Sequence, residues 1–215
     1  MAKFHPDLDL ITDYSAGSLP LAQSACVSVH VSNCVQCQRL ARQLTDLAAA
    51  MFEELEAISV GDVLLDTVLA RLDEEPVLAP EKGTSSISAM LQRLVNADFS
   101  DLSWKKIGSA LRISYLHTGD SDHEFALYHI KAGGKIPEHT HRGSEMTLVL
   151  EGGFSDANGS YHEGDFIFRR SGDVHSPTAL QSQDCICLSV LDAPLKFTTW
   201  KFRWMNPFLK LRTAG

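Results

Sequence analysis

The spacing of the apolar residues divides the 215-residue chain into a first part with helical periodicity and a second part with strand periodicity. Up to about residue 72, apolar positions recur three and four residues apart, as they do along one face of an amphipathic helix. This pattern predicts four helices, which lie between Pro6 and Gly17, from Pro20 toward His30, from about residue 34 to 58, and from 62 to 72. The last of these has a wide apolar face, which needs a partner surface.

From about Asp101 onward the apolar period shortens to two, and glycine, aspartate and asparagine separate the short apolar runs. Short strands at regular spacing are typical of a small barrel or jelly roll. The predicted strands are Leu111–Leu116, Phe125–Ile130, Met146–Leu150, Phe166–Phe168 and Cys185–Leu191. Between the two parts the periodicity is lost, which indicates a linker at residues 76–100. We therefore predict an α+β protein of two domains, a small helical bundle at residues 1–75 and a β-barrel at residues 101–215.

The formal net charge of −8 comes from the helical part alone. Residues 1–85 hold 13 acidic and 5 basic side chains, whereas residues 86–215 hold 14 of each. Because an acidic surface repels phosphate backbones and attracts basic partners, we expect a basic protein partner and no direct contact with nucleic acid. No apolar run reaches the roughly 18 residues that cross a bilayer, and the first seven residues have no segment of signal-peptide type. A cytoplasmic location without membrane contact is expected.

The first candidate metal site combines His30, Cys34 and Cys37, in a His-x3-Cys-x2-Cys pattern. Offsets of four and three residues place these side chains on one face of a helix or helix start. His5, just before the first helix, could supply a fourth ligand. Two thiolates and two imidazoles are a typical closed structural zinc set, and a small helical module commonly needs such a staple. A thioredoxin-like redox motif shares the Cys-x2-Cys spacing and is the alternative.

The second candidate metal site combines four residues that are bracketed by glycines, namely His139, His141, Glu145 and His175. His139 and His141 are two residues apart and therefore point to the same side of a strand. Glu145 is expected to reach the same point from the adjacent pairing strand, and His175 from a later one. Three imidazoles and a carboxylate form a mixed nitrogen and oxygen metal site. The alternative is a set of surface histidines near a turn.

The other cysteines and the C-terminal tail carry weaker signals. Cys26 lies off the pattern of the first cluster, and we expect a buried small side chain there. Cys185 and Cys187 share one face of a predicted strand, where structural burial is favoured over a redox role. The tail is aromatic and basic, and we expect its aromatic side chains to pack on the barrel, with a partner-binding segment as the alternative. These aromatic residues are Phe197, Trp200, Phe202, Trp204 and Phe208.

The second cluster resembles the two sequence motifs of the cupin superfamily, whose small β-barrels hold a metal in the barrel mouth. The match to the first motif is complete from Gly133 to Gly152. The second motif departs from the pattern at Arg170, where proline is usual, and at Ala179, where asparagine is usual, while His175 is in place. These departures bear on turn geometry more than on metal ligation.

The order of the parts resembles the ChrR-type zinc anti-sigma factors over nearly the whole chain. This resemblance implies a helical domain that binds an extracytoplasmic-function sigma factor and blocks its access to core RNA polymerase. It also implies a cupin domain that is needed for release of the sigma factor in response to singlet oxygen or related oxidants. The metals it implies are zinc at His5, His30, Cys34 and Cys37, and zinc or another divalent metal at His139, His141, Glu145 and His175.

The residues and the resemblance together predict a cytoplasmic transcription regulator that is not an enzyme. The alternative is a metal-dependent cupin enzyme, a dioxygenase or isomerase, that uses the helical module as a docking arm. Three histidines and a glutamate also serve catalysis where one coordination position stays open to substrate. A fold alone does not decide between these two functions.

Overall fold

The computed structural model describes residues 2–59, 61–71 and 102–214, which form an N-terminal group of helices and a C-terminal set of antiparallel sheets. The helices are α1 (Leu8–Ala16), α2 (Leu21–Asn33), α3 (Val35–Glu53) and α4 (Asp62–Ala70). The strands are β1 (Lys105–Ile107), β2 (Leu111–Tyr115), β3 (Glu124–Ile130), β4 (His139–His141), β5 (Glu145–Glu151), β6 (Gly153–Asp156), β7 (Gly159–His162), β8 (Phe166–Arg169), β9 (Val174–His175), β10 (Thr178–Ala179), β11 (Cys185–Leu191) and β12 (Leu195–Phe197). A short 3₁₀ helix, Arg203–Phe208, follows the last strand.

Helix α1 begins and ends at residues that favour helix termini. The carboxylate of Asp7 accepts a hydrogen bond from the backbone N–H of Leu10 at 2.9 Å, which satisfies one of the free donors of the first turn. Gly17 follows the helix in the left-handed conformation, with a φ of 70° that glycine adopts at little cost. Local sequence therefore determines both ends of α1, as predicted.

The helical conformation is interrupted between α2 and α3 at Cys34, whose backbone is extended with a φ of −115° and a ψ of 107°. Because of this break, His30 lies near the end of α2 and Cys37 lies in the first turn of α3. The three residues of the first cluster therefore meet at a corner between two helices. The expectation that they share the face of one helix is corrected in this respect.

The strands form three sheets in which every pairing is antiparallel. The largest sheet has the order β1-β2-β3-β11-β5-β8, and the two smaller sheets have the orders β10-β6-β7 and β12-β4-β9. All five predicted strands are present, with ends that differ by at most one residue from the predicted ends. Helices followed by antiparallel sheets confirm the predicted α+β class.

Helix α2 packs directly on the barrel, so that the helices and the barrel share one hydrophobic core. From α2 this core receives Ala22, Ala25, Cys26, Val27, Val29 and Val31, and from the barrel Leu116, Phe125, Leu127, Met146, Leu148, Leu150, Phe166, Leu188 and Val190. Cys26 is fully buried, as predicted. A shared core of this size fixes the position of α2 on the barrel.

Polar contacts hold the start of α2 on the barrel. The residue before α2 is Pro20, which has no side chain able to cap the helix. Asp120 of the barrel takes this role, because its carboxylate accepts a hydrogen bond from the backbone N–H of Ala22 at 3.1 Å. Beside it, Nε2 of His123 lies 3.0 Å from Nε2 of Gln23. The helix is therefore capped by a residue that lies 98 positions away in the chain.

The C-terminal tail differs from the expectation. Phe197 is buried, but Trp200, Trp204 and Phe208 are exposed, so the prediction that the tail packs its aromatic side chains on the barrel is wrong for these three. The side chain of Asn206 accepts from the backbone N–H of Phe197 at 2.8 Å and donates to its carbonyl at 3.1 Å. These hydrogen bonds tie the 3₁₀ helix to β12 through its polar side and leave three large rings in solvent.

The predicted linker at residues 76–100 lies outside the described residues, and so do the domain boundaries at residues 75 and 101. These boundaries stay a prediction. Within the described ranges, no helix has both the length and the apolar content to span a membrane.

Candidate metal centres

The first cluster brings its four predicted residues together at the corner between α2 and α3. His5, His30, Cys34 and Cys37 each offer one ligand atom, and these atoms all lie within 4.8 Å of one another. Nδ1 of His5 lies 3.4 Å from Sγ of Cys34 and 3.5 Å from Sγ of Cys37. Nε2 of His30 lies 3.4 Å from Sγ of Cys37 and 3.4 Å from Nδ1 of His5. We call this cluster the helical centre.

These distances fit the edges of a tetrahedral zinc site. With Zn–N bonds of about 2.0–2.1 Å and Zn–S bonds of about 2.3 Å, neighbouring ligand atoms lie about 3.3 Å apart for two nitrogens and about 3.6 Å apart for nitrogen and sulfur. The nitrogen–nitrogen and nitrogen–sulfur separations in the helical centre are 3.4–3.5 Å. Two imidazoles and two thiols at these separations suit a closed structural ion, whereas a redox Cys-x2-Cys pair would not require the two histidines.

Burial prepares His30 of the helical centre to bind a metal ion but disfavours the thiolate form of Cys37. Burial and the neighbouring His5 lower the pKa of His30 to about 4, so that its imidazole is neutral near pH 7, which is the form that binds metal. Since the carbonyl oxygen of Gly164 only accepts, Nδ1 of His30 carries the proton and donates across 3.0 Å, which leaves the Nε2 lone pair facing the cluster. Burial and the hydrogen bond with Cys34 raise the pKa of Cys37 to about 12. A metal ion must therefore displace the thiol proton.

The second cluster converges inside the barrel, and we call it the barrel centre. His139 and His175 are directly opposed in the pairing of β4 with β9, and His141 follows on the same face of β4. Nε2 of His141 lies 3.2 Å from Nε2 of His175, and the Glu145 carboxylate lies 3.2 Å and 3.4 Å from these two nitrogens. One ligand atom from each histidine lies within 4.8 Å of the others. The alternative of surface histidines near a turn is excluded, because all three are buried.

Glu145 reaches the barrel centre by a different route from the predicted one. It lies on β5, which pairs with β11 and β8 in the six-stranded sheet, whereas β4 belongs to the β12-β4-β9 sheet. The expectation that Glu145 comes from the strand paired with His139 and His141 is therefore wrong. The carboxylate approaches from the facing sheet, so that the two sheets close around the centre.

The hydrogen bonding of the barrel centre also fits a metal ion. Nδ1 of His139 donates to the carbonyl of Pro137 at 2.8 Å, which leaves Nε2 for ligation. Among the described residues, Oε2 of Glu145 is buried without a hydrogen-bond partner. A buried carboxylate oxygen without a donor is costly, and a cation at the meeting point of the imidazole nitrogens would satisfy it.

Electrostatics favours the metal-binding protonation states in the barrel centre. Burial and the neighbouring His175 lower the pKa of His139 to about 4, and burial likewise lowers the pKa of His175. Burial acts to raise the pKa of Glu145, but the close approach and charge of His141, at 3.2 Å, outweigh it and hold that pKa well below its usual range. The site therefore offers an ionised carboxylate beside the neutral imidazoles of His139 and His175.

Cys185 and Cys187 lie side by side on β11, with their Sγ atoms 3.5 Å apart. Both are buried in a core cluster with Val149, Phe154 and Tyr161, as the favoured interpretation predicted. The hydrogen bond with Cys185 and burial together raise the pKa of the Cys187 thiol. The two side chains therefore pack as small apolar groups of the core.

The sequence interpretation missed the residues that surround the ligands. The carboxylate of Asp156 lies 3.7 Å from Nδ1 of His175 and accepts from the guanidinium of Arg169 at 2.7 Å. The same guanidinium donates to the hydroxyl of Tyr161 at 2.8 Å. No spacing in the sequence marks these residues, because each contact joins different strands.

A cupin-like barrel with a buried histidine and glutamate cluster, joined to helices with a histidine and cysteine cluster, defines a distinct class of two-part proteins. Residues 92–193 match the family described as the ChrR Cupin-like domain. The chain is 32% identical over 212 residues to the anti-sigma-E factor ChrR of Cereibacter sphaeroides, which is 97% of this chain and 99% of that protein. The chain therefore belongs to the ChrR family of anti-sigma factors.

A solved structure supports this assignment. The crystal structure of Rhodobacter sphaeroides SigE in complex with the anti-sigma ChrR matches with a TM-score of 0.78 and 31% identity, over 89% of this chain and 100% of that chain. An RmlC-like cupin protein from Ralstonia eutropha matches 48% of this chain and 71% of its own, with 18% identity and a TM-score of 0.44.

Proposed function

We propose that this chain is an anti-sigma factor that sequesters an extracytoplasmic-function sigma factor and keeps it from core RNA polymerase. The similarity to a named anti-sigma-E factor covers the helices as well as the barrel, over 97% of the chain. A cupin enzyme with an unrelated docking arm would share the barrel only. This extent of similarity favours a regulator over the alternative of a metal-dependent enzyme.

The observation that carries the proposal is a set of exposed apolar side chains on the late part of α3 and on α4, which we call the apolar row. The early part of the α3 stripe is covered, since Leu40 and Leu44 pack against the shared core. The stripe continues at helical spacing to Leu47 and Met51, and there it is exposed, with 64% of Met51 in solvent. The members of the apolar row are Leu47, Met51, Phe52, Val63, Leu64, Leu65, Val68 and Leu69, all exposed.

An exposed apolar surface of this kind marks a protein–protein interface. Two amphipathic helices that present their apolar side are suited to fill a groove of a partner or to receive its helices. The acidic charge of residues 1–85, with 13 acidic against 5 basic side chains, would steer a basic partner toward the same part of the molecule. Sigma factors, which contact nucleic acid, carry such basic surfaces.

The proposal assigns a different role to each metal centre. Zinc bound by His5, His30, Cys34 and Cys37 would be closed and structural, and would join the N-terminal segment to the corner between α2 and α3. Zinc or another divalent metal bound by His139, His141, Glu145 and His175 would serve as the part that responds to an oxidant of the singlet-oxygen type. The protein would act in the cytoplasm, where sigma factors bind core RNA polymerase.

The test of this function measures binding of the purified chain to an extracytoplasmic-function sigma factor of its own organism, by fluorescence anisotropy. Burying a large apolar side chain contributes about 1.5–3 kcal/mol. Met51→Asp and Leu65→Asp should therefore each weaken binding by about 10-fold to 100-fold. Inhibition of transcription by the reconstituted polymerase holoenzyme should weaken in parallel.

Ile107→Asp is the matched control, because Ile107 is also an exposed apolar side chain but lies outside the apolar row, on β1 of the barrel. The control variant should bind the sigma factor like the unmodified protein. If the unmodified chain binds no such sigma factor, or if all three variants bind with equal affinity, the proposed function or its interface is wrong.

A further inference from the structure

The barrel contacts the helical centre directly, at the turn between β7 and β8. Gly164 in this turn accepts the hydrogen bond from Nδ1 of His30. The backbone of Gly164 has a φ of +88°, a conformation that favours glycine, and its own N–H donates to the Val149 carbonyl at 2.9 Å. Phe166, just beyond the turn, packs edge-on against the His30 ring with centroids 5.7 Å apart. One imidazole of the helical centre is thus oriented by barrel atoms.

The other imidazole is carried by an N-terminal segment that lies against the same turn. The carboxylate of Asp165 accepts hydrogen bonds from the backbone N–H groups of Lys3 at 2.5 Å and Phe4 at 3.1 Å. The backbone N–H of Phe166 donates to the Phe4 carbonyl at 3.0 Å. Because His5 follows Phe4 in the chain, these contacts determine where its ring enters the cluster.

Asp165 is well placed to hold this segment. It is only 2% exposed, and its second oxygen accepts from the backbone N–H of His162 at 2.9 Å. Charge-assisted hydrogen bonds to a buried carboxylate are stronger than neutral ones. The single side chain therefore fastens the N-terminal segment to the barrel turn that also presents the Gly164 carbonyl.

The same segment touches side chains that lead to the barrel centre. The ring of Phe4 packs on Tyr161 with centroids 5.0 Å apart, and the Tyr161 hydroxyl accepts from Arg169 at 2.8 Å. Arg169 in turn binds Asp156, whose carboxylate lies 3.7 Å from His175. A continuous series of packed side chains and hydrogen bonds thus runs from a ligand of the barrel centre to the segment that carries His5.

We infer that Asp165 is a positioning residue of the helical metal centre, acting through Phe4 on His5 beside the Gly164 carbonyl that orients His30. The barrel in this way completes a metal site whose four ligands all come from the helical part. This inference rests on the metal centre that the proposed function assigns to the helices. Groups that orient metal ligands typically change metal affinity by about 10-fold to 100-fold when they are removed.

The test uses the full-length chain and compares Asp165→Asn, Phe4→Ala and the control Glu163→Gln. Glu163 is exposed and lies two residues from Asp165, so its substitution makes the same change of charge in the same turn. The variants are loaded with cobalt(II), which shows sulfur-to-metal charge-transfer absorption only when thiolates bind it. This signal reports the helical centre alone, because the barrel centre has no cysteine among its four proposed ligands.

We expect Asp165→Asn and Phe4→Ala to lower the affinity of the thiolate-bound metal by about 10-fold, and to release zinc faster to a chromogenic chelator. The charge-transfer bands should also shift, because the His5 ring is less well oriented. Glu163→Gln should match the unmodified protein. Phe4→Ala leaves the barrel sequence intact, so it tests the inference even if Asp165→Asn perturbs the β7–β8 turn.

The inference is wrong if both variants keep the affinity, release rate and spectrum of the unmodified protein, or if the unmodified protein shows no thiolate-bound metal. Sigma-factor binding by the unmodified chain is measured in the same samples. Metal effects in the two variants without any sigma binding would overturn the proposed function and support this inference. Sigma-factor binding by the unmodified chain, with unchanged metal affinity in both variants, would support the proposed function and overturn this inference.

Discussion

Replacing Asp120 tests how firmly the helices are docked on the barrel. This carboxylate accepts hydrogen bonds from the backbone N–H groups of Ala22 at 3.1 Å, Asp122 at 2.9 Å and His123 at 3.0 Å. It also lies 3.0 Å from Nδ1 of His123. In Asp120→Ala, the buried N–H groups of Ala22 and His123 lose their acceptor, at about 1–3 kcal/mol for each. We expect the free energy of unfolding to fall by about 3 kcal/mol.

Denaturant unfolding, followed by circular dichroism, measures this change. Asp122→Ala is the control, because Asp122 is an exposed acid in the same loop whose side chain makes none of these hydrogen bonds. Its stability should stay within about 0.5 kcal/mol of the unmodified protein. Equal stability of Asp120→Ala and Asp122→Ala would refute the argument that Asp120 caps α2 across the interface.

The same carboxylate predicts a pH dependence. Burial alone would raise the pKa of Asp120, but hydrogen bonds from Asp122, Ala22 and His123 outweigh it and lower the pKa to about 2. Since the unfolded pKa is about 3.9, the carboxylate contributes its full stabilisation above about pH 4 and loses it as the pH falls toward 2. The stability advantage over Asp120→Asn, which does not titrate, should shrink in that window. An advantage that stays constant from pH 5 to pH 2 would contradict the assigned pKa.

A glycine substitution and a cysteine-labelling reaction test the packing of the core. Gly152→Ala should destabilise the barrel by about 2–4 kcal/mol, because a Cβ there would lie 2.1 Å from the Asp184 carbonyl oxygen. The control is Gly108→Ala, since Gly108 has a similar positive φ but open space around it, and thermal unfolding should show a smaller loss of stability for this variant. Cys26 should resist alkylation in the native protein and react only in denaturant, since full burial raises the pKa of its thiol. Mass spectrometry of labelled peptides measures this reaction. Labelling of Cys26 in the native protein as fast as in the unfolded protein would refute the prediction.

The sequence predicted the parts of the fold that depend on local chemistry. Asp7 and Gly17 delimit α1 because a capping carboxylate and a left-handed glycine act within one helical turn. The five predicted strands were identified from their runs of apolar residues. Strands such as β6, β7, β9 and β10 were not predicted, because their two to four residues hold too few apolar positions to stand out. Their existence depends on pairing partners elsewhere in the chain.

The metal ligands and their surroundings differ in the same way. Histidine, cysteine and glutamate are the residue types that bind metal, so their spacing marked both clusters before any fold was known. The groups that orient them carry no such mark. The contact of His30 with Gly164 spans 134 residues and uses a backbone carbonyl, which every residue possesses. Glu145 was assigned to the wrong sheet, because the local spacing of residues does not show which strands pair.

The α3 stripe shows what an apolar pattern can and cannot say about function. From Leu40 to Met51 the apolar residues follow one helical period, and the period alone indicates only that the whole stripe needs a partner surface. The structure separates its two halves, because Leu44 packs against the shared core while Leu47 and Met51 are exposed. The uncovered half is therefore the part of this pattern that concerns another molecule rather than the fold.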